Sequence, residues 1–133
     1  MVDPAPATDS GLILVVDDYD DLRELTTDLL TDAGYTVVAV ANAAGALEAA
    51  SHSPNRFRLL VTDVNLGGMS GVELAHELRR LSPGLPVLYV SGEPVTGIPA
   101  EELLLKPFGL AEFSAKVRYL MEKSRGRVAL DRW

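Results

Sequence analysis

Five short apolar runs punctuate the chain: Leu12 to Val16, Val37 to Val40, Leu59 to Val61, Val87 to Val90 and Leu103 to Leu105. Each is too short for a helix, and where β-branched valine dominates it suits a strand buried on both faces. Longer segments of helical period separate them. That alternation predicts strands joined through helices into a mainly parallel sheet. The length of 133 residues, 47% of them apolar, is one domain with one core.

The first helical segment carries Leu22, Leu25, Leu29 and Ala33 at steps of three and four, with Arg23, Glu24, Asp28 and Asp32 on other faces, and ends at Gly34. A second covers Asn42 to Ser51, with Asn42 as N-cap and Pro54 closing it. A third starts at Ser70, whose spacing to Glu73 is that of a capping box, and stops near Ser82-Pro83-Gly84. The last carries Leu110, Phe113, Val117 and Leu120 on one stripe and runs to about Lys123. Between Val90 and Leu103 lie Pro94, Gly97 and Pro99, which leave room for a loop or a 3₁₀ turn but no full helix. Residues 1–10 read as a flexible tail, 11–123 as the domain, and 124–133 as a second tail.

Four of the five runs end in a polar side chain: Asp17-Asp18 after the first, Asp63 after the third, Ser91 after the fourth and Lys106 after the fifth. In a doubly wound sheet of flavodoxin-like order 2-1-3-4-5 these residues gather at one edge, where such folds bind ligands. The run without one, Val37 to Val40, then lies at the margin. Three gathered carboxylates stay ionised together only beside a cation. Oxygen donors suit Mg²⁺, which would also let Asp63 act as a nucleophile toward an anionic phosphoryl group. Lys106 offers a point charge to a phosphate and Ser91 a hydroxyl donor. The set describes phosphoryl transfer onto an aspartate.

The sequence resembles the receiver domains of bacterial response regulators over about residues 11–123, through VVDD (Val15 to Asp18), VTDVNLGGMSGVELA (Val61 to Ala75), VLYVSGE (Val87 to Glu93) and LLLKPF (Leu103 to Phe108). The resemblance implies that Asp63 is phosphorylated by a histidine kinase or a histidine phosphotransfer protein. It implies Mg²⁺ held by Asp18, Asp63 and the Asn65 carbonyl, with Asp17 assisting through water. Ser91 becomes the hydroxyl that reorients onto the phosphoryl group, Lys106 its ion-pair partner, and Lys106-Pro107 a cis bond. Asn65 and Glu93 occupy the positions that tune the lifetime of the acyl phosphate. A phosphoacceptor of this kind acts on a downstream protein, with a homodimer left open, and is a signalling protein rather than an enzyme, apart from its own phosphotransfer and autodephosphorylation.

Three positions depart from the family pattern. Gly67 stands where proline is common, giving a more mobile loop around the metal carbonyl. Leu103 replaces the usual aromatic switch residue. The interval from Ser91 to Lys106 is 15 residues, short for a receiver, so the fourth helix is truncated or lost and signalling passes through another face.

Composition narrows the alternatives. With 19 acids against 12 bases and a net charge of −7, a general affinity for nucleic acid is not expected. No apolar run approaches the roughly 20 residues of a membrane span, and the absence of cysteine excludes disulfides and thiolate chemistry. A cytoplasmic protein is expected. Taken alone, Asp17-Asp18 is a helix cap beside the dipole, Ser91 a turn residue and Lys106 a strand-end lysine. The basic run over residues 116–133, with six of the twelve bases, is a solvated face or tail, with docking through Trp133 as its alternative. With ten residues after Lys123 no output module is expected, so the chain is a stand-alone regulator or the receiver of a hybrid kinase. Two rival functions remain. One is a pseudo-receiver that only docks partners. The other is a small aspartate-nucleophile phosphatase of the haloacid dehalogenase type, disfavoured because Asp17 and Asp18 are adjacent rather than a DxD pair.

Overall fold

The computed structural model describes residues 12–52 and 56–131. The expected N-terminal tail, the closing role of Pro54 and Trp133 lie outside them. Five parallel strands, β1 (Leu12–Val16), β2 (Thr36–Val40), β3 (Phe57–Asp63), β4 (Val87–Ser91) and β5 (Leu103–Leu105), form one sheet of order β2-β1-β3-β4-β5. The helices are α1 (Asp20–Asp32), α2 (Ala43–His52), α3 (Gly71–Leu81) and α4 (Leu110–Asp131). This is the flavodoxin-like arrangement that the alternating runs predict.

The inner strands β1, β3 and β4 are buried almost throughout because helices cover both faces. On one face Leu14, Val16, Leu60 and Tyr89 pack with α2 and α3; on the other Ile13, Val15, Leu88 and Leu104 pack with α1 and α4. β2, at the margin, is only half-buried despite its valines.

Local signals place the helices. Gly45 N–H donates to Asn42 Oδ1 at 2.8 Å, so Asn42 caps α2. Both halves of the Ser70–Glu73 capping box are formed at the start of α3. Gly34 and Gly84, after α1 and α3, take positive φ of 101° and 81°, which glycine adopts without a Cβ clash.

The apolar stripes need two corrections. In α1 the buried residue is Leu30, while Leu25 is 50% exposed. Steps of three and four fix a face only broadly, and α1 turns its Leu22–Thr26–Leu30 side inward, Leu22 and Thr26 half-buried and Leu30 in the core. In α4, Phe113, Val117 and Leu120 are buried with Met121, but Leu110, the first residue of the helix, is 60% exposed.

α4 also continues to Asp131, past the end expected near Lys123, so residues 124–131 are helical. That stretch contains no proline, and Gly126 weakens a helix without ending it.

Between β4 and β5 there is only the 3₁₀ turn Ala100–Glu102, as the prolines there require. Lys116 Nζ of α4 donates to the Ala100 carbonyl oxygen at 2.7 Å and ties this turn down. Lys116 belongs to the basic run read as a solvated face, and here one member of that run is structural.

Candidate functional site

The carboxyl ends of β1 and β3 converge because these strands are neighbours in register, Val16 opposite Thr62. Asp17, Asp18 and Asp63 follow directly, and each offers a carboxylate oxygen within 4.8 Å of the others. Asp17 and Asp63 are buried and Asp18 is exposed. Such an all-oxygen, acidic donor set open to solvent on one side fits a hard divalent cation that keeps part of its water shell.

Capping does not account for the acidic pair. The N-cap of α1 is Tyr19, whose side chain makes no cap hydrogen bond, and the acids of its first turn are Asp20 and Asp21. Asp17 instead turns back on the loop, its Oδ1 accepting from Tyr19 N–H at 2.9 Å. Burial pushes the Asp17 carboxyl above its ordinary pKa; the Tyr19 hydrogen bond and the charge of Lys106 oppose this, while Asp63 and Asp18 reinforce it.

Asp63 is held from two sides. Its Oδ1 accepts from Asn65 N–H at 3.0 Å, and its Oδ2 accepts from Lys106 Nζ at 2.9 Å. Lys106 arrives there because β5 pairs with β4 and Lys106 N–H donates to the Ser91 carbonyl at 2.8 Å. The Lys106-Pro107 bond that follows is cis. Asp17, Asp63 and Lys106, with Phe108 and Phe113, line one cleft.

Ser91, buried at the end of β4, does not bond Asp63 in this structure. Its hydroxyl donates to the Glu93 carbonyl at 2.6 Å and accepts from Glu93 N–H at 3.2 Å. Asn65 is exposed and touches Asp63 through its main chain. The loop from Asn65 to Ser70 folds back under Asp63: Gly71 N–H donates to the Val64 carbonyl at 2.8 Å, and a Cβ on Gly71 would lie 2.3 Å from the Asp63 carbonyl oxygen. Gly67 has a φ of 90°, a conformation proline cannot take, so the departure from proline there goes with a differently turned loop.

One residue at the site is not among those the sequence singles out. Arg23, on α1, donates through Nη1 to the Asp17 carbonyl at 2.8 Å. A helix-face arginine carries no sequence signal that it reaches back over the preceding turn.

The family profile of the response regulator receiver domain matches residues 13–118. The response regulator receiver protein CpdR of Brucella abortus is 30% identical over 116 residues, covering 82% of this chain and 95% of CpdR. The probable transcriptional regulatory protein TcrX of Mycobacterium tuberculosis is 31% identical over 119 residues, 84% of this chain but 50% of TcrX. The chain thus spans about half the length of several curated relatives it matches. Among solved structures, the receiver domain of the hybrid histidine kinase CckA superposes with a TM-score of 0.74 at 31% identity, over 84% of this chain and 99% of that one. The chemotaxis protein CheY4 of Vibrio cholerae gives a TM-score of 0.75 at 27% identity, over 83% and 98% of the two chains.

Proposed function

The chain belongs to the response regulator receiver domain family of two-component signalling, and from that premise we propose that it accepts a phosphoryl group on Asp63 with Mg²⁺ held by Asp18, Asp63 and the Asn65 carbonyl, Asp17 assisting through water. Phosphoryl acceptance is the general function of such domains. The observation that carries the assignment to this residue is the joint placement of three carboxylates and Lys106, with Asp63 the one of the three that Lys106 pairs with.

A carboxylate oxygen of Asp63 attacks the phosphorus of a phosphohistidine. The new P–O bond forms as the P–N bond breaks, and the electron pair leaves on the imidazole nitrogen. When bound, Mg²⁺ supplies the positive charge that lets an anionic phosphoryl group approach anionic Asp63. Lys106 then exchanges its contact with the free carboxylate for one with a phosphoryl oxygen. Ser91 leaves the Glu93 carbonyl to donate to another phosphoryl oxygen, which releases the segment after β4. That rearrangement shifts the population toward a state a downstream partner recognises.

The donor is a histidine kinase or histidine phosphotransfer protein and the partner whose binding is switched is a downstream protein, with no enzymatic turnover of a separate substrate. A small donor such as acetyl phosphate tests this directly. One phosphoryl group per chain is expected in Mg²⁺ and none in Asp63→Asn, so labelling retained at another residue overturns the assignment. Multiple turnover of a phosphomonoester identifies a phosphatase instead. Indifference to Mg²⁺ and beryllofluoride identifies a docking module.

A further inference from the structure

Arg23 sits in the first turn of α1 and divides its guanidinium fork between the part-buried Asp17 turn and exposed Asp20. Nη1 donates to the Asp17 carbonyl at 2.8 Å and Nη2 to Asp20 Oδ1 at 2.5 Å. Asp17 is thereby fixed at three atoms. Its N–H donates to the Val40 carbonyl at 3.2 Å, its Oδ1 accepts from Tyr19 N–H, and its carbonyl accepts from Arg23. The first two ties use main-chain partners or the side chain of Asp17 itself. Among the described residues only the third is supplied by another residue's side chain. An i,i+3 pair with exposed Asp20 contributes little on its own, but the Asp17 carbonyl lies outside the helix, so this bond acts on the turn and not on α1.

The geometry points to Arg23 as a positioning residue that holds the Asp17-Asp18 turn so that both carboxylates face Asp63, and so sets the affinity of the trio for a divalent cation. The inference rests on reading the trio as a Mg²⁺ site. Partners that orient metal ligands without touching the metal typically govern its affinity by about 10- to 100-fold. Two roles for Arg23 predict opposite signs. Acting as a nearby positive charge it would repel the cation, and its removal would tighten binding. Acting through the Asp17 carbonyl it orders the turn, and its removal weakens binding.

The experiment is calorimetric titration of the full chain with Mg²⁺, comparing wild type, Arg23→Gln and Arg23→Lys, beside thermal unfolding of each in chelator. Arg23→Gln is expected to bind roughly ten-fold more weakly. Arg23→Lys, which keeps the charge but loses the fork, is expected to fall between it and wild type. Labelling by acetyl phosphate in Arg23→Gln should recover when Mg²⁺ is raised to saturation, as a defect confined to affinity requires. Unchanged or tighter Mg²⁺ binding in Arg23→Gln overturns the role of Arg23 alone. So does a weakening that tracks a collapse of the metal-free unfolding temperature in both variants. A wild-type chain that takes up no Mg²⁺ brings down the site reading as well.

Discussion

Lys106 Nζ donates to Asp63 Oδ2 at 2.9 Å across 43 residues of sequence, joining the end of β5 to the end of β3. The carboxylate is 8% exposed and the lysine side chain 26%. The pair therefore lies in a region of weakened screening, where exchanging a carboxylate for a phosphoryl oxygen has structural effect.

Lys106→Ala should separate metal binding from response. Removing a positive charge beside the acidic trio leaves Mg²⁺ affinity unchanged or raised, because that charge competes with the cation. The spectral change induced by beryllofluoride should be largely lost. Two-dimensional NMR of the variant with Mg²⁺ alone, then with beryllofluoride, reads both, and equal loss of the two contradicts this division of roles.

The raised pKa of Asp17 gives a signed pH dependence. Its folded pKa lies above the unfolded value of 3.8, so the native state binds this proton more readily than the unfolded chain does. Between those two values this group makes the metal-free protein more stable as pH falls, and the contribution is lost as pH rises through the folded pKa. At the proposed site Mg²⁺ would compete with the same proton, so metal affinity should decline on acidification before an ordinary aspartate would begin to protonate. Titrations across a pH series check this, and Asp17→Asn should flatten the early part of the decline.

Gly71→Ala should damage the fold next to Asp63. The added Cβ meets the Asp63 carbonyl, which is backbone and cannot swing aside. A loss of about 1–3 kcal/mol is expected from such overpacking, read as a lower midpoint in urea unfolding. A midpoint equal to wild type would show that the loop yields freely.

Gly67 makes a conformational prediction rather than a steric one. No atom lies within 4 Å of where its Cβ would be, yet φ is +90°. Gly67→Ala should therefore cost about 1–2 kcal/mol through backbone strain alone. Gly67→Pro, the change toward the family pattern, should cost more and displace Asn65, visible as amide shifts from Asn65 to Ser70.

Much of this architecture is legible in the sequence, because chemistry at strand ends is local information. Asp17, Asp63 and Lys106 each follow an apolar run, and a parallel sheet brings such ends together. The Ser70–Glu73 box and the Asn42 cap are spacings of three residues and are equally readable. The prolines between Val90 and Leu103 announce the absence of a helix there. Helix rotation is less readable: Leu25 and Leu30 both fit an apolar face, and only docking on the sheet decides between them. Arg23 and Lys116 are illegible for a different reason. Their work is done by long side chains reaching main-chain carbonyls, and a carbonyl carries no sequence identity.

The single 3₁₀ turn between β4 and β5 leaves the sheet unevenly insulated. Three-residue β5, with Leu105 at 41% exposure, closes a margin that a full helix would otherwise roof. Amides along that rim have less to break before water reaches them than those of β1 or β3, so hydrogen exchange in β5 should outpace that in the inner strands β1 and β3.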